Sequence, residues 1–327
     1  MMHTKPSLLE RAAEVFDFAS GVPVAPANDL PPPRVRPAPA ALRVEAPAPV
    51  VEQPVSEQVA SPAPSHVTQP ASRPASKAYR PVVRHAEVAL DSEALAAAGY
   101  LIGEAPSAGL AEEMRLIKRR LLTAIDAQIE GGEEQARVVL VASGRPAEGK
   151  TFTALNLALS IAGEPERSVL LVDGDSAKPE LMTRLQLDED RPGFLDSLAN
   201  AQVDPETLVL DTDVERLSLL PAGRKVRNIP ELLASARTEE VLARLREADP
   251  RRIIILDSPP ALAASSAAVL AGLAGQTLVV VKADQTSETD LKETLDLLSV
   301  CDRLSLVLNS TAFQVGSRRF GKYEEYQ

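Results

Sequence analysis

Residues 138–162 constrain the possible folds of this chain more than any other stretch. An apolar run at 138–142 is followed by a loop and then by a helical pattern at 152–162. The loop has the spacing G-x-x-x-x-G-K-[ST], which is typical of a phosphate-binding loop between a strand and a helix. Backbone N–H groups of such a loop face the phosphates, and the helix N-terminus adds positive potential. We therefore predict a nucleotide-binding loop made of Gly144, Pro146, Ala147, Glu148, Gly149, Lys150, Thr151 and Phe152.

Two residues of this loop carry specific expected roles. Lys150 follows the second glycine, where its ammonium can reach the β- and γ-phosphates of a nucleotide. The hydroxyl of Thr151 is a ligand that suits Mg²⁺. The loop therefore predicts ATP and Mg²⁺ as the bound species.

Composition narrows the classes of protein further. The chain has 327 residues, 45% of them hydrophobic and 3% aromatic, so a sizeable core must be aliphatic. A net charge of −11 argues against general nucleic-acid binding, which needs clustered cations. The single cysteine, Cys301, forms no intrachain disulfide and fits a reducing compartment. No apolar run approaches the length of a membrane span, so we expect no transmembrane insertion.

Four regions follow from changes in composition along the chain. Residues 1–18 form a short amphipathic segment, either a helix at 6–18 or a frayed end. Residues 19–98 are rich in Pro and Ala and predict a disordered tether, with a proline-motif docking site as the alternative. Residues 99–313 predict a folded domain, and residues 314–327 a flexible tail.

The folded region alternates strand and helix patterns. Mostly apolar runs lie at 168–172, 217–220, 252–256, 277–281 and 304–308. They alternate with helical patterns at 193–201, 230–247, 261–273 and 288–298, and a helical pattern at 108–129 precedes them. This order predicts an α/β fold with a mostly parallel sheet covered by helices on both faces. Ligands of such sheets bind at the carboxyl ends of the strands.

Three aspartates stand at such strand ends. Asp257 follows the run 252–256, which is the position of an aspartate that holds Mg²⁺. Asp173 and Asp175 follow the run 168–172 and point to the same edge of the sheet. One of this pair can ligate Mg²⁺ and the other can accept a proton from an incoming hydroxyl. We therefore predict Thr151, Asp173 and Asp257 as metal ligands, and Lys150, Asp173 and Asp175 as catalytic residues.

These motifs resemble those of bacterial tyrosine kinases. Residues 169–175, followed by Lys178 and Pro179, resemble the Walker A′ motif of that family, and residues 254–260 resemble its Walker B motif. Residues 146–151 resemble its phosphate loop. Shorter segments at 7–12, 113–119, 220–224 and 231–235 are similar to the tyrosine autokinases of exopolysaccharide loci associated with exosortase systems.

The resemblance implies an activity and its partners. It implies ATP-dependent autophosphorylation on tyrosine, with Asp173 and Asp175 serving Mg²⁺ binding and activation of the tyrosine hydroxyl. It further implies a cytoplasmic protein, recruited to the inner face of the membrane by a polysaccharide chain-length (co-polymerase) protein. On this basis we expect a homo-oligomer in which Tyr323 and Tyr326 accept phosphate from a neighbouring subunit.

The sequence also departs from the family pattern. Ala177 stands where many relatives carry arginine. The family's oligomer motif Glu-x-x-Arg-x-x-Arg is represented by Glu112, Arg115 and Lys118, and lysine lacks the bidentate fork of arginine. These three residues are therefore either an inter-subunit surface or a solvated helix face.

Two other functions stay open at this point. A partitioning or positioning ATPase of the ParA/MinD class shares the fold, but its phosphate loop carries a signature lysine and two glycines where this chain has Arg145, Pro146 and Ala147. An ATP-gated adaptor without phosphoryl transfer is the other alternative, because the tail carries only two tyrosines, Tyr323 and Tyr326.

Overall fold

The computed structural model describes residues 86–103, 108–226 and 228–311, together with two short strands nearer the N-terminus. Those strands, Phe16–Asp17 and Val22–Pro23, pair antiparallel within the unit Met1–Ala78. The helix predicted over 6–18 therefore does not extend through Phe16 and Asp17. The remaining predictions for 1–85, and those for the tail 314–327 with Tyr323 and Tyr326, lie outside the described residues.

The second unit, Tyr79–Gln327, contains the α/β domain. Its strands are β1 (Glu87–Val88), β2 (Val138–Ser143), β3 (Ser168–Asp173), β4 (Leu210–Thr212), β5 (Leu217–Leu220), β6 (Arg252–Asp257), β7 (Gln276–Lys282) and β8 (Leu304–Asn309). Its α-helices are α1 (Ser92–Ala97), α2 (Ala108–Glu130), α3 (Lys150–Ala162), α4 (Leu181–Arg184), α5 (Phe194–Ala199), α6 (Ile229–Leu233), α7 (Ala236–Ala248), α8 (Ser266–Leu273) and α9 (Glu288–Leu298).

The strands form one sheet in the order β8-β7-β2-β6-β3-β5-β4-β1. All neighbours from β8 to β5 pair in parallel, and β4 pairs antiparallel with β5. The central strands β2 and β6 are buried along their whole length. Because side chains alternate along a strand, each central strand contributes to two cores. Val139 and Val141 pack on the face that α3 covers, whereas Leu140 packs on the face covered by α7 and α8. The predicted fold class is confirmed.

The folded part begins earlier than the sequence indicates. β1 pairs with β4, and Leu95 and Tyr100 are 2% and 3% exposed in the core. These residues lie within or next to the range 19–98 that we predicted as a tether. The folded domain therefore begins before Tyr100. The segment was missed because β1 has only two residues and α1 only six, too short for a periodic pattern.

Two predicted helices differ from the observed ones. The helix expected over 230–247 is broken between α6 and α7, where Ser235 has an extended backbone and its hydroxyl donates to the Leu232 carbonyl. The helix expected over 261–273 begins only at Ser266. The backbone N–H of Ala261 instead donates to the Ser143 carbonyl, and that of Leu262 donates to the Gly144 carbonyl. No described helix is long and apolar enough to cross a membrane.

Candidate active site

The phosphate loop connects β2 to α3, as the sequence predicts. Two of its residues have positive φ angles, Ala147 at 64° and Gly149 at 102°. A side chain at Gly149 would collide with the amide group of Asn309, so glycine is required by both the angle and the space. Lys150 is the first residue of α3, which places its ammonium and the free backbone N–H groups of the helix at the same end.

Glu148 fixes this loop from inside the protein. It is 5% exposed, and its carboxylate accepts hydrogen bonds from the Arg145 backbone N–H (2.8 Å) and the Thr286 hydroxyl (2.5 Å). Its carbonyl accepts from the side-chain amide of Asn309 (2.9 Å). The sequence placed Glu148 in the loop, but no pattern identified Thr286, which lies more than a hundred residues away. The loop is therefore held by the segment that follows β7 and by the last residue of β8.

Arg145 anchors the rim of the loop to α9. Its guanidinium makes two hydrogen bonds to the Asp290 carboxylate, at 2.6 and 2.9 Å. This contact raises the pKa of Arg145, first through the hydrogen bond and then through the charge of Asp290. The Arg145 side chain is 61% exposed and its guanidinium faces α9. This placement favours a role in anchoring the loop over direct contact with a phosphate.

The three predicted aspartates are brought together at the carboxyl ends of β3 and β6. Asp173 and Asp257 are partners in the parallel register, and the Gly174 N–H donates to the Asp257 carbonyl (2.8 Å). A Cβ at Gly174 would lie 2.9 Å from that carbonyl oxygen, so glycine allows the close approach. Asp173, Asp175 and Asp257 are each no more than 4% exposed.

Lys150 supplies the counter-charge in this cluster. Its ammonium donates to the Asp175 carboxylate at 2.9 Å and lies 3.8 Å from Asp257. Burial opposes the charge of Lys150, but Asp257 and then Asp175 raise its pKa overall. The structure thus joins two of the three predicted catalytic residues, Lys150 and Asp175, in one buried ion pair.

One cation does not offset three buried carboxylates. Burial first and the charge of Asp257 second raise the pKa of Asp173 to about 8. Burial raises the pKa of Asp257 to about 6, although Lys150 and the Thr151 hydroxyl act in the opposite direction. Both oxygens of Asp173 accept backbone hydrogen bonds, from Asp175 and Leu181. The site therefore has a deficit of positive charge.

A bound divalent cation would compensate for the excess negative charge of these carboxylates. Asp257 Oδ1 is buried and has no hydrogen-bond partner within the described part of the chain. The described residues contain no cluster of three or more His, Cys, Asp or Glu side chains arranged to hold a metal by themselves. Mg²⁺ commonly keeps waters and phosphate oxygens and takes only one or two protein carboxylates. The Asp257 carboxylate and the Thr151 hydroxyl match that need.

Other predicted site residues are placed differently. Glu112 and Arg115 pair with each other on the exposed side of α2 at 2.8 Å. The ammonium of Lys118 contacts Glu164 (2.5 Å) and the Ser160 carbonyl (3.1 Å) within the same chain. Lys118 is therefore engaged inside the domain, and the intersubunit role of Glu112, Arg115 and Lys118 remains a prediction.

Tyr100, one of two tyrosines that flank the end of the tether, has a structural environment. Its ring lies against Phe152 with centroids 5.2 Å apart, and its hydroxyl faces Arg184. A side chain that is 3% exposed and held in this way is a poor phosphate acceptor. Tyr79 lies outside the described residues.

Residues 136–310 match the protein family described as an AAA domain, which is more than half of the chain. The fold, the phosphate loop and the carboxylates at the strand ends define a P-loop nucleotide-binding protein. The chain belongs to the AAA-domain family. The relatives found by sequence include several bacterial proteins named as tyrosine-protein kinases. This agrees with the resemblance read from the motifs.

The relatives found by sequence comparison differ in the share of their own length that this chain covers. The tyrosine-protein kinase YwqD of Bacillus subtilis is 29% identical over 59% of this chain and 78% of its own length. The tyrosine-protein kinase ptk of Acinetobacter johnsonii is 30% identical over 49% of this chain, but only 21% of that protein is covered.

Among solved structures, the BceF tyrosine kinase domain is 25% identical with a TM-score of 0.50, covering 60% of this chain and 76% of that domain. The chimeric protein CapA2B2 is 22% identical with a TM-score of 0.56, covering 69% of this chain and 93% of that one, and supports the fold.

Proposed function

We propose that the chain is an ATP-dependent protein-tyrosine autokinase. The observation that carries this proposal is the buried pair of Lys150 with Asp175, beside Asp257, at the mouth of the phosphate loop. A phosphate loop and one carboxylate suffice to bind Mg·ATP, but this site has a further buried carboxylate available as a base. The two alternatives, an ATPase of the ParA/MinD class and an adaptor, are less favoured because the relatives named above are tyrosine kinases.

In this proposal each residue has a defined task. The phosphate loop and Lys150 bind the nucleotide phosphates. The ammonium of Lys150 then leaves the Asp175 carboxylate and contacts phosphate oxygens instead. Asp175 becomes free to accept the proton of a tyrosine hydroxyl. The bond between the γ-phosphorus and the bridging oxygen breaks, a bond to the tyrosine oxygen forms, and ADP leaves.

Mg²⁺ has a place in the same site. When bound, it supplies charge neutralisation for the phosphates. Asp257 and Thr151 are the residues that would hold it, and Asp173 faces the same cluster. Asp173 also holds the segment after β3 in place through its two backbone hydrogen bonds, so its substitution would disturb the position of Asp175 as well.

We further propose the setting and the acceptors. Tyr323 and Tyr326 are the acceptor residues, and transfer takes place between subunits of a homo-oligomer. One relative, the succinoglycan biosynthesis transport protein ExoP of Rhizobium meliloti, is 28% identical over 250 residues. This supports a role in exopolysaccharide production together with a membrane chain-length protein that recruits the chain to the inner face of the membrane. The short similar segments at 7–12 and 220–224 favour the exosortase-associated subgroup.

Labelled ATP with Mg²⁺, followed by phosphoamino-acid analysis, tests the activity. The wild-type chain should label tyrosine, and Lys150→Met should abolish the label because no other loop cation can replace the ammonium. Lys292→Met, which removes an exposed lysine of α9, is the matched control and should label normally. Release of phosphate without labelled tyrosine would identify an ATPase, and neither product would identify an adaptor.

A further inference from the structure

Arg184 joins two segments near the active site that are distant in the chain. Its guanidinium donates to the Glu180 carboxylate at 2.6 Å, and the Tyr100 hydroxyl faces the same guanidinium. The Arg184 side chain is 41% exposed, so it is not part of the apolar core. None of the roles assigned above to the phosphate loop and the aspartates uses this arginine.

On one side of Arg184 lies the segment between β3 and the end of α4, which carries the proposed base. The Asp175 carboxylate accepts a hydrogen bond from the Lys178 N–H at 3.0 Å. The Glu180 carboxylate pairs with the Lys178 ammonium at 2.5 Å as well as with Arg184. Because α4 has only four residues, its own hydrogen bonds do not make it stable, and its position depends on such contacts. Glu180 thus ties Arg184 to the residues that position Asp175.

On the other side of Arg184 lies the N-terminal segment 86–103, which is attached to α3. The Tyr100 ring packs against Phe152 with centroids 5.2 Å apart, and the Leu101 N–H donates to the Asn156 side chain at 2.8 Å. The Asn156 side chain in turn donates to the Phe152 carbonyl at 3.1 Å. Tyr100 is therefore fixed on the first two turns of the helix that begins at the phosphate loop.

The charge of Arg184 also acts on the carboxylate cluster. Burial raises the pKa of Asp257 to about 6, whereas the charges of Lys150 and Arg184 act in the opposite direction. Arg184 therefore stands at the edge of the active site. Because its guanidinium is bonded to Glu180, it acts at this edge as part of a bridge and not as a free cation.

This bridge matters most when a nucleotide is bound. Without nucleotide, the Lys150 ammonium links α3 directly to Asp175 at 2.9 Å. In the phosphoryl transfer proposed above, Lys150 leaves Asp175 and contacts phosphate oxygens. The direct link between the phosphate loop and the base is then lost at the step in which their relative position decides the rate. The contacts of Arg184 do not involve Lys150, so they stay available at that step.

We propose that Arg184 is a positioning residue for phosphoryl transfer. Through Glu180 and Tyr100 it couples the segment that carries Asp175 to α3. It thereby holds the base in place relative to the nucleotide after Lys150 has moved to the phosphates. The consequence for the rate rests on the proposed kinase function, whereas the coupling between the two segments is a property of the fold that can be measured without phosphoryl transfer.

Autophosphorylation rates at varied ATP and saturating Mg²⁺ test the effect on catalysis. In Arg184→Met the kcat should fall at least tenfold, whereas the KM for ATP should change less than twofold because the phosphate loop is intact. Arg184→Lys keeps a cation beside Glu180 and should recover at least threefold of the lost kcat. The matched control is Arg244→Met, which breaks the similarly exposed pair of Arg244 with Asp204 on α7 and should leave both constants unchanged. An unchanged kcat in Arg184→Met, or a KM that rises in parallel with the loss, would overturn the proposal.

Hydrogen exchange followed by mass spectrometry tests the coupling without catalysis. With Mg²⁺ and a non-hydrolysable ATP analogue bound, the amides of 176–184 should exchange at least fivefold faster in Arg184→Met than in the wild-type chain. Tyr100→Phe should have the same effect, although it lies outside this segment and keeps its ring on Phe152, because it removes the hydroxyl that faces Arg184. Equal exchange in all three chains would overturn the coupling, and faster exchange in Arg184→Met alone would overturn the link to Tyr100. Faster exchange in both variants of a chain that labels no tyrosine would support the coupling and refute the kinase function.

Discussion

At the scale of single residues, the phosphate loop depends on groups distant in the chain. Glu148 bridges the loop backbone and Thr286, and the Thr286 hydroxyl in turn accepts from the Lys282 N–H at 3.0 Å. The hydroxyl therefore sets the position of the carboxylate, and through it the position of the Arg145 N–H. A loop that must present its N–H groups to phosphates in fixed directions is sensitive to such support.

We expect Thr286→Val to weaken ATP binding. Valine keeps the volume of threonine but removes the hydrogen bond to a buried carboxylate, which typically contributes about 1.5 kcal/mol or more, so the Kd should rise roughly tenfold. Isothermal titration with a non-hydrolysable ATP analogue measures this. Thr207→Val removes a comparable hydroxyl bond, to the Asp204 carbonyl, and should leave the Kd unchanged. An unchanged Kd in both variants would show that the loop holds its shape without Thr286.

The carboxylate cluster gives a prediction about pH. In the folded chain the pKa of Asp173 is raised from 3.8 to about 8 by burial and by Asp257. Between these values the folded state keeps a proton that the unfolded state has released, so raising the pH through this window destabilises the folded state.

The melting temperature of the nucleotide-free chain should therefore fall between pH 5 and pH 8, and Asp173→Asn should reduce this fall. Differential scanning fluorimetry at several pH values provides the measurement. Asp296→Asn, at an exposed position of α9, is the control and should keep the wild-type slope. The same slope in Asp173→Asn would mean that other groups dominate the titration.

At the scale of elements, α2 packs against α3 through one internal ion pair as well as through apolar contacts. The side chain of Lys118 is 14% exposed and joins α2 to Ser160, near the C-terminal end of α3, and to Glu164, two residues beyond that end. A partly buried pair with a second hydrogen bond contributes more than the exposed pair of Glu112 with Arg115.

Lys118→Met should lower the melting temperature by about 2–4 °C, as expected for a loss near 1 kcal/mol in a domain of this size. The neighbouring variant Arg119→Met changes an exposed residue and should have almost no effect. Light scattering on the same samples separates the two roles of Lys118. A lower oligomer mass of Lys118→Met with an unchanged melting temperature would show that Lys118 lies in an intersubunit surface.

At the scale of the whole molecule, residues 86–103 complete the domain. β1 extends the sheet beyond β4, Leu95 enters the core, and Tyr100 contacts Phe152, the residue that follows Thr151. The Leu101 N–H donates to the Asn156 side chain of α3 at 2.8 Å. This segment therefore supports the helix that begins at the nucleotide site.

Two truncations test this limit of the domain. A chain that begins at Ala86 should keep the melting temperature of the full chain, whereas one that begins at Leu101 should lose several kcal/mol, because burial of Leu95 and Tyr100 contributes roughly 1.5–3 kcal/mol each. Thermal unfolding by circular dichroism measures the difference. Equal stability of both truncated chains would contradict the assignment of 86–100 to the folded core.

The sequence by itself determined the central part of this protein. The phosphate loop has a fixed spacing, and the interiors of the central strands are continuously apolar. Asp173, Asp175 and Asp257 stand at or directly after the ends of such strands. Each of these signals lies within a few consecutive residues, and in a parallel sheet the strand ends meet at one edge whatever the loops do. Such features can be predicted from consecutive residues without knowledge of the tertiary contacts.

The tertiary structure alone decided which distant groups meet. The Thr286 hydroxyl donates to Glu148, Glu164 pairs with Lys118, and Arg184 lies beside Tyr100. The segment after β5 lines a cavity together with residues after β3. These contacts depend on the order of strands in the sheet and on the turns that connect them. A side chain has the same local pattern whether its partner is water, its own chain or a neighbouring subunit, so only the packed structure distinguishes these cases.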